Sequence, residues 1–333
     1  MKPLAILVTG ASGFVGGSFC RRFGGRSDLV VHGIGRRRLD AAWYSARDLS
    51  RPFEVDFAPD VVIHAAARAA PWGTAEEYRR DNVEATREVI AFCRRHGNPR
   101  LIYVSSSSVL YRDGPQLGLD EASPIGPRFV NRYAATKYAG ERLVEEYPGP
   151  WLIVRPRAVF GPGDTVLFPR LVAAARAGRL PLFVNSAATP ATSATPATPA
   201  IGDLIYIDTL TDYLLRAARR PELRGVYNLT NAEPVPIQAF LLDVFARLGL
   251  PAPRRRVSIR SAMLAAGIVE AAWSLLRLRG EPPITRFGVG VFAWSKTFDV
   301  GKALADLGPP SVSIADGVEA FVRWQKAQWA AGA

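Results

Sequence analysis

A run of apolar residues from Leu4 to Val8 leads without a break into Thr9 and then Gly10, Gly13 and Gly16. An apolar stretch of that length suits a parallel strand covered on both faces. The G-x-x-G-x-x-G spacing follows directly. There the backbone has to turn sharply, leave room for a pyrophosphate, and let the next helix pack closely on the sheet. Residues without a β-carbon meet all three needs. A helix opening near Gly13 points its unpaired N–H groups and its positive dipole end at the anion. Glycine triplets arise by chance, but this one lies between a buried-type strand and a helical pattern. That is the context a dinucleotide-binding loop requires.

The alternation continues along the chain. Leu29 to Ile34 reads as a second strand and ends in Gly35-Arg36-Arg37-Arg38. In dinucleotide folds this strand end meets the adenosine ribose, where a carboxylate selects a free 2′-hydroxyl and an arginine accommodates a 2′-phosphate. Asp40 comes only after the arginines, so the pattern predicts a preference for NADP over NAD, with Arg36 as the reader. Val61 to His64 forms the next strand and runs into Ala65-Ala66-Ala67, small side chains that let a ligand lie against the backbone. Residues 74–96 have helical periodicity, and Leu101 to Val104 is a further strand running into serines 105–108. Strands and helices in this order predict an α/β fold, a Rossmann-type doubly wound parallel sheet with ligands at the carboxyl ends of its strands. Tyr133 and Lys137 follow on a helix at i, i+4 spacing, which places phenol and ammonium on one face.

At 333 residues the chain is long enough for one large domain or two unequal ones. Its charge is +12, but the arginines are scattered in pairs and triplets and no nucleic-acid module accompanies them, so a basic solvated surface is expected and no nucleic acid. Cys20 and Cys93 suggest neither a disulfide framework nor a metal site, and His32, His64 and His96 are too dispersed to hold an ion; no metal is predicted. The apolar run before Thr9 is too short for a signal-peptide core, and a cytoplasmic location is expected. Residues 187–200, rich in threonine and proline, read as a mobile surface loop. Residues 261–277 form an apolar helical stretch flanked by arginines. It reads either as a core helix or as an interfacial helix lying on anionic membrane and admitting a lipophilic substrate.

Taken together, these pieces resemble an extended short-chain dehydrogenase/reductase of the NAD-dependent epimerase/dehydratase superfamily. The resemblance is carried in order by Thr9 to Gly16, Asp48-Leu49, His64 to Ala67, Asn82-Val83, Ser105-Ser106, Tyr133-x-x-x-Lys137, Arg155-Pro156 and Gly161-Pro-Gly-Asp164. It continues through Tyr206-Ile-Asp208, Val226 to Leu229 and Phe298-Asp-Val-x-Lys302. Tyr103 to Tyr111 and Glu281 to Phe287 are most similar to the 3β-hydroxysteroid dehydrogenase-like branch, which includes reductases of long-chain 2-alkyl-3-oxo acids. Family architecture implies a dinucleotide-binding domain of residues 1–165 plus about 203–232. A smaller, discontinuous α/β substrate domain is implied for about 166–202 and 233–333. A homodimer is implied as well.

The resemblance also implies the chemistry. Tyr133 donates a proton to a ketone, or accepts one from an alcohol, while hydride moves to or from the nicotinamide. Lys137 lowers the phenol's pKa and holds the nicotinamide ribose, and Ser106 supplies the second hydrogen bond to the developing oxyanion. Ser107 is the alternative, because four consecutive serines leave the register open by one. Gly10, Gly13, Phe14 and Gly16 are expected at the pyrophosphate and Asp48 and Leu49 near adenine. Ala65 and Ala66 are expected along the nicotinamide side and Pro156 beside its amide. Members acting on sugar nucleotides carry glycines and an arginine near residue 190; here Val184-Asn185-Ser186 and Gly202-Asp203 stand instead. The expected reaction is ketone–alcohol interconversion on a lipophilic substrate, steroid-like or a long-chain 3-oxo acid. A sugar-nucleotide epimerase or 4-ketoreductase is the alternative enzyme, and a non-catalytic dinucleotide sensor or RNA-associated protein is the alternative of another class.

Overall fold

Residues 2–70, 72–184, 200–276, 278 and 280–331 are described by a computed structural model. The stretch 187–199, expected as a loop, lies outside the described residues. The first half alternates β1 (Leu4–Thr9), α1 (Phe14–Phe23), β2 (Leu29–Gly35), β3 (Tyr44–Ala46), β4 (Val61–His64), α2 (Ala75–Tyr78), α3 (Ala85–Arg95), β5 (Arg100–Val104) and α4 (Arg132–Glu145). Later strands Trp151–Pro156 and Gly225–Leu229 join them in a seven-stranded sheet. All its pairings are parallel, in the order β3-β2-β1-β4-β5, then Trp151–Pro156, then Gly225–Leu229.

Apolar residues fill these strands because both faces are covered. Ile6 and Val8 join one core while Leu7 joins the other, and β4 repeats the alternation with Ile63 and Val62. That is the two-residue period of a strand buried between two helical layers. The strand order reverses at β1, which is flanked by β2 and β4. The crevice outside the carboxyl ends of β1 and β4 is therefore the place where this topology leaves room for a ligand.

The second half adds α5 (Phe168–Arg176), α6 (Ile207–Ala218), α7 (Ile237–Arg247), α8 (Ile259–Leu275) and α9 (Arg286–Ala293), with a four-stranded sheet of short strands. An aromatic cluster organises its packing; the Phe168 and Phe321 ring centroids are 4.4 Å apart. The expectation that 261–277 is a core helix is not met. Only Ala262 and Ala266 of α8 are buried, while Leu264 is 69% and Leu275 84% exposed. The small alanines pack against Val289 of α9, so a narrow stripe is covered and the bulkier apolar residues face outward. No described helix is long and apolar enough to cross a membrane.

Candidate active site

The glycine loop is shaped by close approach. Gly10 has φ +70°, and a β-carbon there would lie 2.7 Å from the Ala66 nitrogen. At Gly16 it would lie 2.7 Å from the Gly10 carbonyl oxygen. Either substitution forces backbone apart, which explains glycine at both positions. Gly13 precedes α1, donates its N–H to the Gly10 carbonyl at 2.8 Å, and caps the helix with no side chain. The first turn of α1 therefore offers free N–H groups with no acidic side chain beside them, and it opens onto the crevice.

The opposite wall is fixed by a buried hydrogen-bond chain. The Ala66 N–H donates to Thr9 Oγ1 at 3.1 Å, and Thr9 Oγ1 lies 2.7 Å from His64 Nδ1. His64 Nε2 lies 3.0 Å from Thr86 Oγ1, which itself donates to the Asn82 carbonyl. Since the Thr86 hydroxyl has one proton, it accepts from Nε2–H, and His64 Nδ1 accepts from Thr9. Burial drives the His64 pKa down to about 3, aided by the Lys137 charge, so the ring stays neutral. His64 thus holds the Ala65-Ala66 turn in place over Gly10.

At the adenosine end, Arg36 and Arg37 follow β2 and line the cleft with Asp48 and Leu49. The Asp48 carboxylate accepts from the Ser50 N–H at 3.1 Å and its hydroxyl at 2.8 Å, which sets the turn. The structure adds a residue that the β2 pattern alone did not reveal. Asp81 arrives from a π-helical turn (Arg79–Glu84) between α2 and α3, with its side chain 4% exposed, and pairs with Arg36 at 3.1 Å. Arg80 and Arg68 also face it, at 2.8 and 3.8 Å. Nothing local at β2 signals this contact, because it crosses 45 residues of sequence.

The reactive end is built by α4. Asn131 caps this helix by accepting from the Ala134 N–H at 2.8 Å, which sets Tyr133 in its first turn. Asn82 of the π-helical turn braces it, donating to Thr136 Oγ1 at 2.9 Å. Tyr133 is half-buried in the cleft beside Ser106 and Pro156. Burial pushes its phenol up to about 12, opposed by a hydrogen bond with Ser106. The direction is opposite to the lowering expected from Lys137. In the cofactor-free chain loss of hydration sets the direction, reinforced by the neighbouring Tyr78 and Tyr111, and the phenol keeps its proton at neutral pH.

Lys137 lies one turn further on, 1% exposed, with Nζ 4.0 Å above the Tyr103 ring. Burial pulls its pKa down to about 7, against a raising contribution from Glu141. Glu141, another residue the sequence did not single out, is fully buried. It accepts from Arg155 Nη2 at 2.7 Å and Nε at 2.9 Å, and from the Ser105 hydroxyl. Ser107 turns elsewhere, its hydroxyl 3.0 Å from Tyr111 Oη.

The structure brings Gly10, Gly13 and Phe14, Ala65 and Ala66, and Ser106, Tyr133 and Pro156 onto one continuous cleft of about 1220 Å³. Gly16 packs beneath the loop, and Lys137 lies behind Tyr133. Past Tyr133 the lining is mixed, with Phe183, Phe240, Val257 and Phe292 beside Arg170, Arg179, Arg255 and Glu281. The tight glycine cradle, the open helix end and the neutral phenol together fit a dinucleotide at one end and an apolar substrate at the other.

The model of the NAD dependent epimerase/dehydratase family matches residues 6–230. A 2-alkyl-3-oxoalkanoate reductase of Stenotrophomonas maltophilia (strain K279a) is 34% identical over 336 residues, covering 95% of this chain and 97% of that protein. A 3beta-hydroxysteroid-dehydrogenase/decarboxylase of Arabidopsis thaliana (isoform 1) is 31% identical over 278 residues, covering 78% of this chain and 61% of that protein. Among solved structures, UDP-glucuronic acid 4-epimerase from Bacillus cereus in complex with NAD has a TM-score of 0.69. It is 22% identical and covers 98% of this chain and 100% of that one, a likeness of fold. The chain is an oxidoreductase belonging to the NAD dependent epimerase/dehydratase family.

Proposed function

We propose that this protein reduces a ketone on a long-chain lipophilic substrate, with NADP preferred to NAD, and that 3-oxo acids are its substrate class. The observation that carries this reading is that Tyr133, Ser106 and Pro156 line the same cleft as the glycine loop, between its cradle and its far end. Bound in that cradle, a reduced nicotinamide supplies the hydride for the carbonyl carbon. The free N–H groups at the start of α1 would bind its pyrophosphate, with Gly10 and Gly13 shaping the turn that lets it approach. Ala65, Ala66 and Pro156 line its nicotinamide side.

Charge develops on the carbonyl oxygen as hydride arrives. Tyr133 Oη donates a proton to that oxygen, and Ser106 Oγ donates the second hydrogen bond. A phenol held neutral suits the reducing direction, because the acid must carry its proton when the ketone binds. In this reading Lys137, one turn beyond Tyr133 on the same helix, holds the ribose hydroxyls and returns a proton toward Tyr133. Phe183, Phe240, Val257 and Phe292 give an alkyl substituent an apolar surface to lie against. The names of the reductase and steroid dehydrogenase relatives support the same substrate class.

Arg36 and Arg37 favour a 2′-phosphate, and the Asp81 carboxylate near them is matched by three guanidinium groups. The outward apolar face of α8, with Arg256 and Arg260 close by in sequence, would suit contact with anionic lipid. The test follows nicotinamide absorbance with freshly prepared long-chain 3-oxo acids, their esters and steroid ketones, using each dinucleotide in turn. The reading expects turnover that is faster at low NADPH than at low NADH and is abolished in Tyr133→Phe. Turnover unchanged in Tyr133→Phe, or none across the panel, would refute it.

A further inference from the structure

One buried basic side chain lining the cleft lacks a partner among the described residues. Arg157 follows Pro156 at the carboxyl end of its sheet strand, and its backbone N–H donates to the Leu229 carbonyl at 3.0 Å. Its residue is 7% exposed, and its side chain makes no hydrogen bond or ion pair with any of the described residues. Nε is wholly buried without an acceptor among the described residues, and Arg157 is one of the residues that line the cleft.

The neighbouring buried cations each keep partners, although Arg155 Nη1 and Arg100 Nε also lack an acceptor among the described residues. Arg155 is held in two bonds by Glu141, and Arg100 donates to the carbonyls of Pro221 and Leu223, both at 2.8 Å. Lys296 donates three times, to the Arg112 and Gly114 carbonyls and Gln116 Oε1, each at 2.9 Å. Asp203, the acidic group nearest in influence to Arg157, is 1% exposed and accepts from the Phe298 N–H, without closing an ion pair. A buried guanidinium with unused donors is costly unless something binds it.

The position also indicates what binds. The Arg157 guanidinium lies 5.1 Å from the Tyr111 ring centroid. The Tyr111 hydroxyl meets Ser107 Oγ at 3.0 Å, and Ser106, next to Ser107 in the chain, lines the cleft together with Tyr133. Arg157, Tyr111 and the carbonyl-polarising pair therefore share one cleft. A planar guanidinium fork matches a carboxylate in two parallel bonds. In a 3-oxo acid, a single carbon separates the carboxylate from the ketone.

We propose that Arg157 is the carboxylate subsite, so that this enzyme selects free 3-oxo or 3-hydroxy acids over their esters. The subsite presupposes ketone–alcohol chemistry at Tyr133, while adding a requirement for an anion that this chemistry alone does not impose. Tyr111 and the wall beside Asp203 keep the fork in one plane, and the alkyl chain runs away from it along the apolar side chains of the lining.

The test uses the oxidising direction, because 3-hydroxy acids are stable in water whereas 3-oxo acids lose carbon dioxide. A long-chain 3-hydroxy acid and its methyl ester are compared with wild type, Arg157→Met and Arg157→Lys, and dinucleotide binding and circular dichroism are checked for each. Wild type is expected to prefer the acid at least tenfold in kcat/KM. Arg157→Met should lose about a hundredfold on the acid, mostly in KM, and leave the ester within about threefold. Arg157→Lys should fall between them. Equal kcat/KM of wild type for acid and ester, or equal losses on both in Arg157→Met, overturns the subsite while leaving the redox reading intact. Failure of wild type to oxidise either compound overturns both. Should Arg157→Met not fold, the wild-type comparison and Arg157→Lys decide the matter alone.

Discussion

Lys137 offers a prediction whose size follows from its burial. Its ammonium is moved from the ordinary 10.5 to about 7 by loss of hydration, so folding opposes its charge. With the folded value depressed, stability is complete above pH 10.5 and is withdrawn as pH falls toward 7. At about 1.36 kcal/mol per tenfold change in proton affinity, the withdrawal is about 2 kcal/mol at pH 9 and about 5 kcal/mol at pH 6. Lys137→Met removes the ammonium and keeps most of the chain's volume. The ammonium's contact with the Tyr103 ring is part of what sets the folded pKa, so it is not counted again. The cofactor-free variant should therefore be more stable than wild type by about 5 kcal/mol at pH 6. At pH 9, where the folded side chain is already uncharged, the lead should shrink to about 2 kcal/mol. Urea midpoints of both proteins at the two pH values measure this, and taking the difference cancels the other titrating groups. The same variant should be inactive. A stability difference that does not change between pH 6 and pH 9 would refute the reasoning, since it would mean that Lys137 titrates alike in the folded and unfolded chains.

Three further outcomes follow from the geometry. Ser106→Ala should lower kcat by about a hundredfold or more, the usual loss for one oxyanion donor, and Ser107→Ala should cost far less; steady-state kinetics showing the reverse would move the role to Ser107. Gly16→Ala places a β-carbon 2.7 Å from the Gly10 carbonyl oxygen, so dinucleotide affinity by fluorescence titration should fall at least tenfold; unchanged affinity would dismiss the cradle. Glu141→Gln leaves Arg155 buried without its charge partner and should cost about 3 kcal/mol in urea unfolding. Adding Arg155→Met should recover part of that loss, and a fully additive double variant would show the two side chains to be independent.

Much of this was legible in the sequence because it is local. Leu4 to Val8 and the three glycines establish a strand, a turn and a helix start within a few residues, each imposed by sterics or by the need to hide apolar surface. The i, i+4 spacing of Tyr133 and Lys137 likewise places them on one face of any helix that forms there. The parallel sheet follows from repeating such units, since alternating strands and helices leave few other ways to cover both faces.

Tertiary structure decided what depends on distant neighbours. Asp81 meets Arg36, Glu141 locks Arg155, and His64 braces the turn over Gly10 only because the sheet order brings those segments together. The same burial reverses the expected direction for Tyr133, because hydration lost on folding is a property of the packed site and of no short stretch of chain. It also distinguishes Arg157 from the other arginines of this basic chain, leaving it buried at the cleft without a partner among the described residues. Sequence supplied the residue types and local spacings; three-dimensional packing set which of those groups are dry, which are paired and which remain available to a substrate.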